Sequence, residues 1–316
     1  MTRSTPLSYS QQALWFIYRE APKSAAYNIA LPLQFAGEVD GQLLQQAVQR
    51  LVERHSMLCS RFFERDGVPY QYVVTDRHQN WQEVDAGGWT ESALMAGLHR
   101  HSQQPFVLEQ GAFRATLFQG ADTGTVLLFN LHHITGDAAS LAILGKELLA
   151  FYGADNLPPT AADYSHYVRW EAELLNSKKG QRMATYWQQQ LAGDVPVLQL
   201  PTDYPRPALQ TFNGATVRIE LPEPLTEAVK KLAKIHQTTL FTVLFSVYQV
   251  LLQRYSGQHD IWIGVPTSTP RNQPEFADMV GYLVNPMILR GDFSNDNHVS
   301  FSRLVQLNSR QLLTGL

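Results

Sequence analysis

Apolar residues recur along this chain at two spacings, and the change from one to the other marks out its elements. Residues 10–20 carry aromatic and aliphatic side chains at helical spacing and predict a short helix. YNIALPLQFAG (27–37) alternates as a strand does and stops at a glycine. Between Asp40 and about Arg54, positions Leu43, Leu44, Ala47, Leu51 and Val52 share a helical face. Asp40 is placed to cap that helix, its carboxylate accepting an orphan backbone N–H. PYQYVV (69–74) reads as a strand and is followed by a polar patch, a helix near 90–102, and strands at FRATLFQ (113–119) and TVLLFNLHH (125–133). The turn ADTG (121–124) makes a hairpin of the last two. AASLAILGKELLAFYG (138–153) predicts an amphipathic helix closed by glycine, and 163–191 look helical throughout.

VPVLQLPTDYPRPALQTFNG (195–214) has four prolines and no period, as a linker between lobes would. Beyond it, ATVRIELP (215–222) predicts a strand and 223–255 two helices. The second of these, in TTLFTVLFSVYQVLLQRY (238–255), is expected to be buried. DIWIGVPTS (260–268) and MVGYLVNPMILRGDF (279–293) predict strands, the former buried, and VSFSRLVQLNSRQLL (299–313) a final helix. No internal repeat is visible.

Composition narrows the classes. At 316 residues the chain exceeds what one core usually serves, so two lobes are expected. A formal net charge of −3, without a long Lys/Arg run, disfavours nucleic acid and anionic membrane surfaces as partners. The single cysteine, Cys59, excludes an intrachain disulfide framework and a thiolate-rich metal site. No run of about 18 apolar residues occurs, and the N-terminus lacks the apolar core of a signal peptide. Cytoplasm is the expected compartment.

Candidate chemistry sits in LLFNLHHITGDAASLAIL (127–144). On a regular strand Leu127, Phe129, Leu131 and His133 share one face, and Leu128, Asn130 and His132 the other. The two histidines therefore point apart and cannot act as paired metal ligands. Asp137 follows a turn containing Gly136 and stands where a helix cap would. Two readings stay open here: a polar strand end with a helix cap, or a strand that carries an imidazole base into a cleft. Zinc-type H-E-x-x-H spacing, the G-x-S-x-G elbow, the G-x-x-x-x-G-K loop and the Rossmann fingerprint are all missing. A lone imidazole suits base chemistry because its ordinary pKa lies near working pH.

The run His132-His133-Ile134-Thr135-Gly136-Asp137-Ala138 resembles the H-H-x-x-x-D-G signature of condensation domains of nonribosomal peptide synthetases, a version of which chloramphenicol acetyltransferase shares. Other motifs of that family follow in order. LSYSQQALWF (7–16) is similar to S-x-x-Q-x-x-L-W, and RHSMLCSRF (54–62) to R-H-x-x-L-R-T-R-F. ADYSHYVRW (162–170) is similar to Y-x-D-Y-x-x-W, and YWQQQLAG (186–193) with LPTDYPRP (200–207) to the inter-lobe linker. IGVPTSTPRN (263–272) and VGYLVNPMILR (280–290) resemble second-lobe blocks ending in G-R-N and V-N-T-x-x-x-R. The sequence departs from the pattern in two ways. Ala138 replaces the signature glycine, and the family's later motifs, including a segment bridging back to the first lobe, do not occur, as in a domain truncated at its C-terminus.

The resemblance implies an α/β (α+β) fold of two chloramphenicol acetyltransferase-like lobes in a V-shaped pseudo-dimer, the second lobe incomplete. The expected divisions are 1–178 for the N-terminal lobe, 179–214 for the inter-lobe helix and linker, and 215–316 for a partial C-terminal lobe. It implies amide formation between a carrier-bound acyl or peptidyl thioester and a carrier-bound aminoacyl group, in a tunnel between the lobes. The domain itself is expected to bind no cofactor and no metal, its substrates riding on 4'-phosphopantetheine arms. Donor and acceptor peptidyl carrier proteins and a neighbouring adenylation domain are the implied partners. Met1 lies so near the first motif that the domain is expected to open its polypeptide, its donor arriving on a separate protein.

By the same resemblance His133 is the catalytic base, and Asp137 pairs with Arg271, or second with Arg290, in a bridge tying the lobes together. Arg61 packs behind the signature loop and His132 is structural. Gly136, Ala138 and Asn285 line the substrate tunnel. Trp15, Trp170 and Trp187 are expected to be core from their helical spacing, since aromatics so placed usually pack. Three alternatives accompany this reading. An epimerase-type relative is disfavoured because Ser140 is followed by Leu141 rather than Trp. An ester-forming acyltransferase of the same fold and a degenerate recruitment domain are the others.

Overall fold

The structure is a computed structural model that describes residues 4–74, 81–121, 124–208, 210–212, 214–294 and 300–315. The polar patch at 75–80, the hairpin tip at 122–123 and the first residue of the expected last helix, 299, lie outside the described residues. The chain divides into two compact units: residues 1–180 with 268–284, and residues 181–267 with 285–316. Residues 268–284, placed by sequence in the second lobe, thus cluster with the first unit.

In chain order the elements of the N-terminal stretch are β1 (Thr5–Pro6), α1 (Tyr9–Glu20), β2 (Asn28–Phe35), α2 (Gly41–Arg54), β3 (Ser60–Arg65), β4 (Val68–Val73), β5 (Trp81–Asp85), α3 (Glu91–Ser102), β6 (Phe113–Ala121), β7 (Gly124–His132), α4 (Ala138–Tyr152), α5 (Tyr164–Asn176) and α6 (Lys178–Gln190). Two sheets result, a three-stranded β1-β4-β3 and a four-stranded β2-β7-β6-β5. β2 and β7 pair antiparallel in a register that sets Asn28 opposite His132. The hydrophobic pattern does not reveal β3 or β5; β5 runs parallel to β6, so its partner is distant and its short polar sequence gives little local sign. Asp40 does cap α2, its Oδ1 accepting from the N–H groups of Gln42 and Leu43. Leu44, Ala47, Val48, Leu51 and Val52 form the buried face, while Leu43 is exposed.

Leu127, Phe129 and Leu131 of β7 enter the large core with α1, α2 and α4, whereas Val126 and Leu128 face a smaller cluster with Leu94 and Leu98 of α3. The alternation is thus real, with both faces covered. The expected continuous helix 163–191 is broken at Ser177, which is extended (ψ 166°) and caps α5. Its hydroxyl donates to the Leu174 carbonyl and accepts the Gly180 N–H, taking over bonds that a continuous helix would make.

The remaining elements are α7 (Glu223–Ile235), α8 (Leu240–Ser256), β8 (Asp260–Thr267), β9 (Asn285–Asp292) and α9 (Phe301–Gly315). β8 and β9 make a two-stranded antiparallel sheet. Four expectations are corrected here. Residues 215–222 form no strand; Val217, Ile219 and Leu221 alternate but are exposed, and alternation without a pairing partner makes no ladder. α8 buries only one stripe (Val243, Phe245, Leu252 and intervening polar residues), leaving Phe241, Leu244, Val247, Tyr248, Leu251 and Tyr255 exposed. β8 buries only Ile261 and Val265. The strand expected over 279–293 begins at Asn285 because the residues before it are hydrogen-bonded elsewhere. No single helix among the described residues is long and apolar enough to cross a membrane.

Candidate functional site

The site begins where β7 ends. His132 is its last residue, and residues 133–135 form one 3-10 turn before Asp137 caps α4. His132 is buried, and its Nδ1 accepts the Ile134 N–H at 3.2 Å, so the neutral ring carries its proton on Nε2. Burial, then the neighbouring His133, pushes its pKa down to about 4. The turn is also held by Thr135, whose hydroxyl donates to the His132 carbonyl (2.9 Å), and by Gln11, whose Nε2 donates to the Ile134 carbonyl (2.9 Å). Gln11 is fully buried and completes a capping box with Ser8, which gives the N-terminal S-x-x-Q pattern a second purpose: to brace the histidine turn.

His133 differs from its neighbour in every respect that matters. It is half-buried, its backbone N–H donates to the Tyr27 carbonyl (2.7 Å), and its ring meets Tyr282 edge-on with centroids 5.0 Å apart. Its Nδ1 is buried without a hydrogen-bond partner among the described residues.

Asp137 is 1% exposed and acts as cap and ion-pair partner together. Oδ1 accepts from the Ser140 N–H (2.8 Å), the Ser140 hydroxyl (2.9 Å) and Arg271 Nη2 (2.8 Å), while Oδ2 accepts the Leu283 N–H (3.3 Å). Arg271 also donates from Nη1 to the Met279 carbonyl at 2.7 Å. Both members of the pair lie in the first unit, so the bridge closes segment 268–284 onto that unit instead of tying two lobes. Arg290, the second-choice partner, pairs with Asp260 at 2.9 Å.

Ser140 enters the sequence reading only through the residue that follows it, yet it is central. Its hydroxyl also accepts from the Gly281 N–H (3.1 Å) and Arg271 Nη2 (3.2 Å), and lies 3.1 Å from the Gly281 carbonyl. A Cβ at Gly281 would stand 2.3 Å from a ring carbon of Tyr164, so only glycine lets this strand of backbone pass. Gly136 is buried, with Leu131 and Ser140 atoms 3.2 Å from where its Cβ would be. Ala138 is exposed in the first turn of α4. Arg61 lies on β3 opposite Tyr72, its Nε buried and without a partner among the described residues. Asn285 opens β9 in the second unit, opposite Thr267. Trp15 is core, Trp170 packs on Phe276, and Trp187 packs beside Val265, Met287 and Leu289. Among the described residues no three His, Cys, Asp or Glu side chains gather as metal ligands would.

The fold is mixed α/β with a histidine turn at a strand end, and comparison with known proteins gives the family. The chain belongs to the condensation domain family, whose model matches residues 1–315. It is 36% identical over 302 residues to one of the linear gramicidin synthase polypeptides of Brevibacillus parabrevis, covering 92% of this chain and 6% of that one. Surfactin synthase subunit 1 of Bacillus subtilis (strain 168) is 32% identical, with 90% and 8% covered. The chain thus spans a small part of the length of these relatives. Among solved structures, the first condensation domain of the calcium-dependent antibiotic synthetase superposes with a TM-score of 0.83 at 23% identity, covering 100% of this chain and 75% of that one. The condensation domain of the Monacolin K polyketide synthase gives 0.84 at 19%, with 99% and 73% covered. These structures show the same fold.

Proposed function

We propose that this domain joins an acyl or peptidyl thioester to an aminoacyl amine, each delivered on the 4'-phosphopantetheine arm of a peptidyl carrier protein, in nonribosomal peptide synthesis. The observation that carries the reading is the contrast between the histidines inside a condensation-family chain. One is buried and held neutral, and the other is half-buried on a braced turn, its Nδ1 without a hydrogen-bond partner among the described residues. In the reaction the amine nitrogen attacks the thioester carbonyl carbon. Nε2 of His133 takes the proton that the amine sheds, the tetrahedral intermediate collapses with loss of the C–S bond, and the thiolate recovers the proton. A base so placed contributes about 10²–10⁴-fold, and holding two tethered substrates together contributes at least comparably. Asp137 and Arg271 support the turn, and Gly136, Ala138 and Arg61 are assigned to its surroundings. An adenylation domain that loads the acceptor carrier and a cytoplasmic setting belong to the same proposal.

His133→Ala is expected to fold as the parent does and to lose most amide formation when donor and acceptor carriers are supplied together, read by product mass. Parent-like turnover in that variant would refute the assignment. Offering an alcohol acceptor in parallel separates an ester-forming enzyme. Carrier binding without any product would mark a recruitment domain.

A further inference from the structure

A base must be oriented as well as present, and a histidine is usually oriented by a hydrogen bond at the ring nitrogen it does not use. His133 has no such bond: its Nδ1 is buried and unpartnered among the described residues. What its ring does meet is the Tyr282 ring, 5.0 Å between centroids and inclined at 70°. This is a geometry in which the edge of one aromatic is attracted to the face of the other.

Tyr282 is itself held by the backbone on either side. The Gly281 N–H donates to the Ser140 hydroxyl and the Leu283 N–H to Asp137 Oδ2, while the Tyr282 carbonyl accepts the Tyr164 hydroxyl at 2.7 Å. Tyr164 is buried, and its hydroxyl is also 3.0 Å from that of Ser8. Arg271 clamps the Met279 carbonyl and Asp137 at once. Every bond that Asp137, Ser140 and Tyr164 make to residues 281–283 thus fixes the backbone that carries one ring, and that ring touches His133. Among the described residues the network makes no hydrogen bond to the buried Nδ1 of the imidazole. It reaches it through Tyr282.

We propose that Tyr282 is the positioning residue for His133, setting the direction of Nε2 by ring contact in place of the missing hydrogen bond at Nδ1. This rests on the reading of His133 as the base. It gives the buried Asp137–Arg271–Ser140 network a purpose beyond stability, since the network delivers Tyr282. The hydroxyl of Tyr282 is not required, so phenylalanine is expected to serve and an aliphatic residue to fail.

The test compares Tyr282→Phe with Tyr282→Leu, and with Tyr282→Met should the leucine variant not fold. The His133 ring is read by NMR of 13Cε1-labelled histidine, its signal assigned by loss in His133→Ala. The number and width of the signals are scored, since losing a ring current moves the position in any case. The parent and Tyr282→Phe are expected to give one narrow signal, and Tyr282→Leu a broadened or multiple one. In the two-carrier assay Tyr282→Leu is expected to lower kcat by about tenfold to a hundredfold with KM within about twofold, because small misplacements of a reacting group carry costs of that order. Tyr282→Phe is expected to stay within about threefold of the parent. An unchanged narrow signal and unchanged kcat in Tyr282→Leu would overturn the proposal, as would a phenylalanine variant as impaired as the leucine one. If the parent forms no amide, the functional reading fails, while the NMR comparison still decides whether Tyr282 orders the ring.

Discussion

Two aspartate–arginine pairs in this chain have nearly the same contact distance and opposite characters. Asp137 and Arg271 meet at 2.8 Å with side chains 1% and 11% exposed, whereas Asp260 and Arg290 meet at 2.9 Å with 29% and 36% exposed. In the first pair the carboxylate also accepts two backbone N–H groups and a hydroxyl, so its charge is balanced on all sides. In the second, Arg290 lies over the Trp262 ring, 5.4 Å from its centre, and water competes for both partners. The contrast shows that distance alone does not rank ion pairs; the cost of leaving one partner behind does.

Removing one partner of each pair tests that ranking most directly. Asp137→Ala leaves Arg271 buried and several donors unsatisfied, so chemical denaturation is expected to show a loss of about 3–5 kcal/mol, together with loss of amide formation. An unchanged melting temperature with abolished activity would instead assign Asp137 a chemical role. A somewhat smaller effect concerns pH near the first pair. The folded-state pKa of His132 is about 4 against about 6.5 in the unfolded chain, so the unfolded state binds the extra proton first as pH falls. The advantage of the neutral buried ring is complete above about pH 6.5 and is lost as pH falls towards about 4, by up to about 3 kcal/mol. Urea unfolding across that range should slope more steeply in the parent than in His132→Phe, and parallel slopes would remove His132 from the explanation. Smallest of all, Asp260→Asn is expected to cost no more than about 1 kcal/mol, and less still in high salt. A loss comparable to that of Asp137→Ala would erase the distinction between the pairs.

The legible part of the site is the part whose geometry is local. Alternation carries only as far as His132, where β7 ends, and His133 belongs to the turn that follows; a cap four residues after His133 needs only the helix that follows. The Asp137–Arg271 pair follows from motif resemblance alone, since nothing within either segment points 134 residues along the chain. The unit to which Arg271 belongs is illegible for the same reason. An apolar run through 279–293 reads as one strand, and the distant Asp137, Ser140 and Tyr164 claim the first half of it. Ser140 and Tyr282 carry no sign of their own, because a serine in a first helical turn and an aromatic in a loop look ordinary. Their importance lies in partners that sequence spacing does not reveal. The exposed face of α8 makes the complementary point, for its apolar residues ring the helix and composition cannot say which stripe is covered.

The return of segment 268–284 to the first unit has a consequence in time. A ribosome adding about 5–20 residues per second needs roughly 4–18 s to travel from residue 180 to residue 268. Throughout that interval the emerged chain holds α5 without Phe276, which finally packs against Tyr167 and Trp170, and holds Asp137 without its arginine. The nascent first unit therefore waits with an uncovered aromatic surface and an unbalanced carboxylate until the histidine turn receives its last support.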